Sequence, residues 1–536
     1  MTTVQELVGT NAVPTENQIL LVKQYLVAPR QEIRSLQETL TELQARLVST
    51  LERRNELKSY IDDHLALSSA SRQLPDNVLR CIFRYTMPVS RNASFSMDEG
   101  PYLLCRVSKL WRAIAMETPA LWSSIHIIIP PGNDSFERVL QTLTLWIERS
   151  RTHPLSIHLA YSRTAWRGPS LTPVLSLLVA HAARWHKVHF VTNSDDEVQT
   201  FDNLSPENVP LLQHFEISQG QGHFGFSFSN PEPHTQSLNL QFLRTPSLQR
   251  LVYHGGFETI PRMMDVSWET LVYLHLGLTA TGNARIFYFP FEILRRCTNL
   301  EIFKLGLNGI EFKSLPENSP PDLTSLRLPL LTELWLWIDM GQESDKTAEQ
   351  LFGNCDFPNL AKFTLQTGRI YTLAWLPKLG ASAGGLKSVD LTIHAVMGKS
   401  LEDALRAMPQ LEEIKLSGEP YGEIPSDGSF AWTRDVSVFD ALASPDFCPN
   451  LQKIELCGIY QVSNAQILTI ARRSRNGTLR DFRCHIERPK TMDFREELRE
   501  ELAGGLKLTI LVNKEANLMI YTALERTERA PPSPRE

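Results

Sequence analysis

Residues 358–365 read PNLAKFTL, and residues 449–456 read PNLQKIEL. Each phrase has apolar residues at its third, sixth and eighth positions, so its last three residues alternate between apolar and polar. This alternation is typical of a short β-strand with one buried face. Recurrence of one such phrase at a period of roughly 20–50 residues predicts a solenoid, in which each repeat buries its apolar face against its neighbours.

The phrase recurs from residue 185 onward. If the first apolar residue of each phrase is taken as an anchor, the eleven anchors are Trp185, Leu212, Leu248, Leu271, Leu300, Leu331, Leu360, Leu386, Leu411, Leu451 and Leu479. Helical segments lie between the phrases, and the clearest of them, residues 400–408, has one apolar face and is followed by Pro409. We therefore predict an α/β fold with an irregular solenoid over residues 127–512.

A second informative stretch precedes the repeats. Residues 74–88 read LPDNVLRCIFRYTMP, and residues 101–125 read PYLLCRVSKLWRAIAMETPALWSSI. Both have apolar residues at helical spacing, and prolines bound the first helix. The pattern predicts a unit of three small helices over residues 72–126.

In order, the Leu-Pro start, the Leu-x-x-Ile-Phe core, the Val-Ser-Lys-x-Trp second helix and the Pro-x-Leu-Trp close resemble the F-box. The resemblance implies binding to a Skp-type adaptor, and through it to cullin. The residues implied in adaptor binding are Leu74, Pro75, Val78, Leu79, Ile82, Phe83, Leu104, Val107 and Trp111. Residues 89–100 make the first connection longer than the F-box pattern leads us to expect. The alternative is a generic helical hairpin inside a larger domain.

The repeats resemble an irregular leucine-rich-repeat horseshoe, which F-box proteins commonly carry. The resemblance implies that one residue of each strand faces a concave surface: His189, Glu216, Val252, His275, Lys304, Trp335, Thr364, Asp390, Lys415, Glu455 and Arg483. Mixed charges there favour a protein partner over nucleic acid. We predict substrate binding by His275, Lys304, Trp335, Trp337, Thr364 and Asp390. Trp335 and Trp337 would be its anchors, unless the pair packs under neighbouring loops.

The N-terminal region has a heptad seam. Ile33, Leu36, Leu40, Leu43 and Leu47 step by three and four residues, and Thr50 and Arg54 interrupt the continuation. We predict a flexible N-terminus over residues 1–30 and an amphipathic or coiled-coil helix over residues 31–67. That helix could pair two chains as a homodimer, or it could pack on its own chain.

Composition restricts the function. The chain has 536 residues, a net charge of −6 and 42% hydrophobic residues, which is ordinary for a globular protein and argues against general nucleic-acid binding. No apolar run of membrane-spanning length occurs, and the N-terminus lacks a secretory signal. The seven dispersed cysteines are expected to be reduced thiols in a cytoplasmic or nuclear protein. Residues 513–536 are expected to form a C-terminal helix and a disordered tail.

No metal-ligand spacing, phosphate-binding loop or nucleophile motif occurs, so we expect no cofactor, no metal and no enzymatic activity. The resemblances together imply a substrate-recognition subunit of an SCF-type ubiquitin ligase, with an unknown protein substrate. The alternative is a protein-binding scaffold that acts outside ubiquitylation. A solenoid enzyme or nucleotide-regulated switch ranks behind both.

Overall fold

The structure is a computed structural model. It describes residues 8–9, 11, 13–67, 72, 74–130, 132–161, 170–192, 195–219, 240–256, 266–279, 285–310, 326–340, 352–353, 355–367, 373, 375–382, 385–392, 398–418, 437–457, 462–475, 477–486 and 492–512. The chain divides into two compact units, Met1–Cys81 and Ile82–Glu536. The predicted C-terminal helix and tail, residues 513–536, lie outside the described residues.

The first unit contains one long helix, α1 (Glu16–Leu67). It begins fifteen residues before the predicted start, so the expectation of a flexible segment up to residue 30 is wrong for residues 16–30. Pro29 lies inside this helix, although proline cannot donate a helical hydrogen bond. Pro29 is exposed, so water can satisfy the carbonyl that this proline leaves unbonded. The backbone N–H of Thr15 donates to Gln18 Oε1 at 2.9 Å and helps to begin the helix.

The remaining helices of the described residues are α2 (Asp76–Tyr85), α3 (Tyr102–Val107), α4 (Lys109–Met116), α5 (Asn133–Ser150), α6 (Thr172–Val179), α7 (Asp195–Gln199), α8 (Arg285–Leu294), α9 (Leu376–Ser382), α10 (Gly398–Arg406), α11 (Ser437–Ala443), α12 (Asn464–Arg472), α13 (Phe494–Glu497) and α14 (Arg499–Ala503). The two units meet in sequence within α2. The Val-Ser-Lys-x-Trp segment, expected as one helix, is divided into α3 and α4 at Ser108, whose backbone is extended. A single 3-10 turn, Pro119–Trp122, follows α4.

The second unit contains one parallel sheet whose strands follow chain order from first to last. The strands are β1 (Ser124–Ile129), β2 (Leu155–Tyr161), β3 (Trp185–Thr192), β4 (His214–Gln219), β5 (Arg250–Gly256), β6 (Tyr273–Thr279), β7 (Ile302–Ile310), β8 (Glu333–Met340), β9 (Lys362–Thr367), β10 (Ser388–Thr392), β11 (Glu413–Ser417), β12 (Lys453–Cys457), β13 (Asp481–Ile486) and β14 (Lys507–Val512). β1 and β14 are the edges of an open sheet, as an α/β solenoid requires.

The anchors predicted from sequence determine where the strands begin. Ten of the eleven strands that carry an anchor begin two residues after it, and Trp185 is itself the first residue of β3. Every anchor is at most 2% exposed. Burial of these side chains against the adjacent repeat is the main stabilising contribution, since burying one leucine is worth about 1.5–3 kcal/mol.

A polar residue directly before the anchor binds the preceding repeat. The side-chain amide of Asn299 donates to the carbonyl of Glu269 at 2.8 Å, and that of Asn359 donates to the carbonyl of Pro329 at 2.7 Å. Ser247, Thr270, Asn450 and Thr478 donate to backbone carbonyls in the same way. These bonds satisfy carbonyl groups in the turns between repeats.

The long connection over residues 89–100 is part of the sheet edge. The backbone N–H of His126, on β1, donates to the carbonyl of Ala93 at 2.7 Å. The Asn92 amide donates to the carbonyls of Ile125 and Ser156, each at 3.1 Å, and so reaches both β1 and β2. This insertion therefore covers an edge strand that would otherwise expose unpaired backbone groups.

An aromatic cluster joins the short helices to the first repeat. The Trp122 ring lies 4.9 Å from the Trp146 ring of α5, and Tyr102 contacts both rings edge-on at 5.6 and 5.5 Å. The Arg149 guanidinium lies 4.5 Å from the centre of the Trp122 ring. Trp122 and Trp146 are fully buried, so residues 102–122 and the first repeat share one core.

We predict that Asn359→Ala destabilises the protein by about 1 kcal/mol, because the Pro329 carbonyl loses its hydrogen-bond donor. Asn359→Asp keeps the shape of the side chain but replaces the donor with an acceptor, so it should destabilise at least as much. Denaturant unfolding of the wild type and both variants measures the effect. An aspartate variant as stable as the wild type would show that the amide bond contributes nothing.

Candidate functional site

The nine residues implied in adaptor binding divide by burial. Leu79 and Phe83 on α2 are fully buried, and Leu104 on α3 is 3% exposed, so these three are core residues. Val78, Ile82 and Val107 are 38%, 38% and 55% exposed. The other three are Leu74 and Trp111, which are half-buried, and Pro75, which is exposed.

The second unit's helical segment, residues 82–122, has a core and an outer apolar surface. The rings of Phe83 and Trp111 lie 4.9 Å apart and hold α2 against α4. Leu103 and Val107 are one turn apart on α3 and both exposed, which places them side by side on its outer face. Ile82 is exposed next to the buried Phe83. The segment thus has a buried core of its own and, in addition, large apolar side chains that remain exposed.

The residues predicted to line one surface lie side by side. Strand register pairs each with the next across β3 to β13, so all eleven form one continuous row. The row continues to His126 and His158 at one end and to Thr509 at the other. We call these fourteen residues the central row, and the side of the sheet that carries them the polar face.

Three histidines begin the central row. The His126 and His158 rings are 4.2 Å apart, and the His158 and His189 rings are also 4.2 Å apart and nearly parallel. The sequence prediction began at residue 185 and missed the first two. Their signal was present, because residues 124–127 (SIHI), 156–159 (SIHL) and 187–190 (KVHF) share one pattern.

The middle of the central row is more closely packed than predicted. His275 is 6% exposed and Thr364 is 5% exposed, so neither can be a principal contact for a partner. The His275 ring contacts His254 at 4.6 Å and Trp335 at 5.8 Å. The burial of these two side chains and the ring contacts of His275 come from neighbouring strands, which a single phrase of sequence does not contain.

The two tryptophans of β8 are half-buried rather than fully exposed. Trp337 lies in register with Gly306 and, one strand further, with Gly277. A side chain at Gly277 would meet the His254 ring, because an added Cβ would lie 2.6 Å from its Cδ2 atom. The His254 ring therefore fills the space over Gly277, and the next residue of this register, Gly306, has no side chain beside the half-buried Trp337.

Charges on the polar face balance. The central row has three acidic residues, Glu216, Asp390 and Glu455, and three basic residues, Lys304, Lys415 and Arg483. Lys415 Nζ lies 2.9 Å from Asp390, while Lys304 and Lys362 lie 3.9 and 3.5 Å from Glu333. Burial alone would lower the pKa of Lys415, but Asp390 raises it above its usual value. Paired charges of both signs suit a polar protein surface better than a phosphate backbone.

Two histidines of this face are held neutral by burial. Burial lowers the pKa of His275 well below its usual value. Burial also lowers the pKa of His214 to about 4, helped by Arg250 and Lys187. These two cations are its register partners on β5 and β3 and outweigh the Glu216 carboxylate, which is 3.8 Å from His214 Nε2.

We predict that His214 makes the protein acid-sensitive. Its pKa is near 6.5 in an unfolded chain. Between about pH 6.5 and 4 the unfolded chain therefore binds a proton that the folded chain does not, and stability falls as the pH falls. His214→Gln should lose less stability than the wild type between pH 7 and pH 4.5, by about 1–3 kcal/mol. Denaturant midpoints over a pH series measure this, and equal pH dependence in both proteins would contradict it.

Among the described residues no group of three or more histidine, cysteine, aspartate or glutamate side chains is arranged to hold a metal ion. In the same part of the chain no helix has both the length and the apolar character needed to cross a bilayer. All seven cysteines are free thiols, and five of them are buried.

No protein-family model matches the chain, and no curated protein matches it either. Two surfaces of the described residues are therefore candidate binding sites. One is the apolar outer surface of residues 82–122, and the other is the polar face.

Proposed function

We propose that this chain is a non-catalytic substrate receptor of an SCF-type ubiquitin ligase. Residues 82–122 would bind the Skp-type adaptor, and the polar face would bind the protein substrate. The observation that carries the proposal is the exposure of Ile82, Leu103 and Val107 beside the buried Phe83 and the half-buried Trp111. An independent helical unit would cover these side chains, whereas an adaptor-binding unit keeps them available.

The polar face supports a protein substrate. Its charges are balanced and paired, so it lacks the uniform positive field that attracts nucleic acid. Trp335 lies near the middle of the central row, and Trp337 lies two residues further along β8 on the same face. Tryptophan is enriched among residues that dominate protein interfaces. Lys304 and Asp390, which flank Trp335 and Thr364 in the row, could add polar contacts around such an anchor.

The connection between these two regions supports a receptor role. The aromatic cluster at Trp122 and the hydrogen bonds of Asn92 attach the helical segment to the first repeats. A ligase receptor works by proximity, because it presents the substrate to a ubiquitin-charged enzyme and performs no chemistry itself. A firm attachment would keep the presented lysines within a restricted volume.

We predict that Val107→Asp reduces binding to the Skp-type adaptor by roughly tenfold or more, because the interface would bury an unpaired carboxylate. Leu330→Asp is the matched control, since Leu330 is also exposed (46%) and lies in the turn before β8. Co-purification of the adaptor with each full-length variant measures the effect.

Adaptor binding that survives Val107→Asp would place the interface elsewhere. Wild-type protein that does not bind the adaptor at all would overturn the ligase proposal, and the scaffold function would then take its place. Thermal unfolding of each variant separates lost binding from lost folding, and Val107→Asp should unfold close to the wild type because the side chain is solvent-exposed.

We predict that Trp335→Ala combined with Trp337→Ala abolishes substrate capture and leaves adaptor binding unchanged. Some loss of stability is expected, because Trp335 contacts His275. Leu511→Ala is the control, since Leu511 is an exposed apolar residue on β14, two residues beyond Thr509 and so on the same face. Proteins captured by each adaptor-bound variant from cells with blocked proteasomes are compared by mass spectrometry. An unchanged set of captured proteins would remove the tryptophans from the substrate site.

A further inference from the structure

Helix α1 has a long, exposed apolar seam. The seam predicted at Ile33 to Leu47 extends to both ends of the helix at the same three- and four-residue spacing. Nine of its apolar side chains are 39–61% exposed: Ile19, Leu26, Ile33, Leu36, Leu40, Leu43, Leu47, Leu57 and Ile61. The helix has 52 residues and is therefore about 78 Å long.

Such a seam requires a partner helix. Helices in proteins gain most of their stability from packing of an apolar face. A seam of seven heptads exceeds the three or four that indicate a coiled coil. The seam is interrupted at Pro29, Thr50, Arg54 and His64. These interruptions determine which partner and which orientation fit.

A parallel pairing of two α1 helices in register is unfavourable. Each interruption would meet its own copy, so Arg54 would face the partner's Arg54 inside the seam. At the flanking positions Arg53 would lie beside the partner's Lys58. Both contacts place like charges together, and charges at flanking positions set the orientation of coiled coils.

An antiparallel pairing with complete overlap removes these conflicts. With Glu16 beside the partner's Leu67, Leu47 faces the partner's Leu36 and Leu43 faces the partner's Leu40. By the same register Ile61 faces the partner's Val22 and Leu57 faces the partner's Leu26. Arg54 faces the partner's Pro29, where no second charge is present.

The flanks of this register carry one like-charge pair, Lys23 beside the partner's Lys58 near the helix ends, and one opposite-charge pair nearer the middle. Glu32 lies beside the partner's Arg53, and the two-fold axis repeats the pair. Arg53 already lies 2.9 Å from Glu56 on its own helix, so in the dimer it would join two carboxylates. Four apolar pairs, each repeated by symmetry, and two opposite-charge pairs would then hold the two helices together against the two exposed Lys23–Lys58 contacts, and no like charges would meet inside the seam.

We propose that α1 forms an antiparallel, fully overlapped coiled coil with α1 of a second copy of this chain. The pairing buries the seam along the whole helix and makes the protein a homodimer. This proposal concerns only α1, and it holds whether or not the second unit binds an adaptor.

The mass of the full-length protein in solution tests the dimer. Light scattering after gel filtration should give twice the mass of one chain at micromolar concentration. Leu47→Asp should give a monomer, because it places a carboxylate in the seam. Val48→Asp is the matched control, since Val48 is adjacent, similarly exposed and off the seam, and it should remain a dimer.

Cysteine crosslinking tests the orientation. In the antiparallel dimer Leu36→Cys faces the partner's Leu47, so neither Leu36→Cys nor Leu47→Cys alone should gain a disulfide-linked dimer over the wild type. Co-expressed, the two variants should form a disulfide between one chain of each. A parallel pair would instead link each variant to itself.

A wild-type monomer at tens of micromolar would overturn the proposal. Self-linking of the single cysteine variants would overturn the antiparallel register, and a monomeric Val48→Asp would show that the seam is not the interface. None of these measurements involves the adaptor, so their failure is distinct from failure of the proposed ligase role.

Discussion

Each repeat of this sheet can be folded only when its neighbours are folded. A parallel strand bonds its backbone entirely to the strands on either side, and the anchor leucine below it is buried by the adjacent repeat. Stability is therefore shared along the array, and its weakest points are the two ends. At the first end, the connection over residues 89–100 stabilises the sheet, because Ala93 and Asn92 form hydrogen bonds with β1 and β2.

The sequence predicted the sheet well wherever the repeat phrase is present. Leu300 and Leu451 each identify a strand, because few structures other than a repeat strand fit a leucine that stands two residues before an alternating segment. β1 and β2 lack the phrase and were missed, although the recurrent histidine pattern could have identified them. The polar residue before each anchor was also overlooked, because its acceptor lies about one repeat away in sequence and only the fold brings them together.

The sequence predicted which residues line the central row from β3 to β13, but it did not predict how exposed each of them is. Strand alternation is a local property, so the row from His189 to Arg483 followed from single phrases. Burial is not local: His275 is covered by Trp335, which lies two strands further along the sheet. Helix α1 also begins fifteen residues before its predicted start, and its backbone continues through Pro29, a residue that usually interrupts helices.

The insertion at residues 89–100 also has a mechanical consequence. A flexible joint between the helical segment and the sheet would let these two parts rotate widely relative to each other. Asn92 bonds to the first two strands, and the Trp122 ring packs against Trp146, so the connection between the helical segment and the sheet is rigid. Bending would then be distributed over the many strand pairs of the array, and the distance from the helical segment to any given strand would be set by the number of repeats between them.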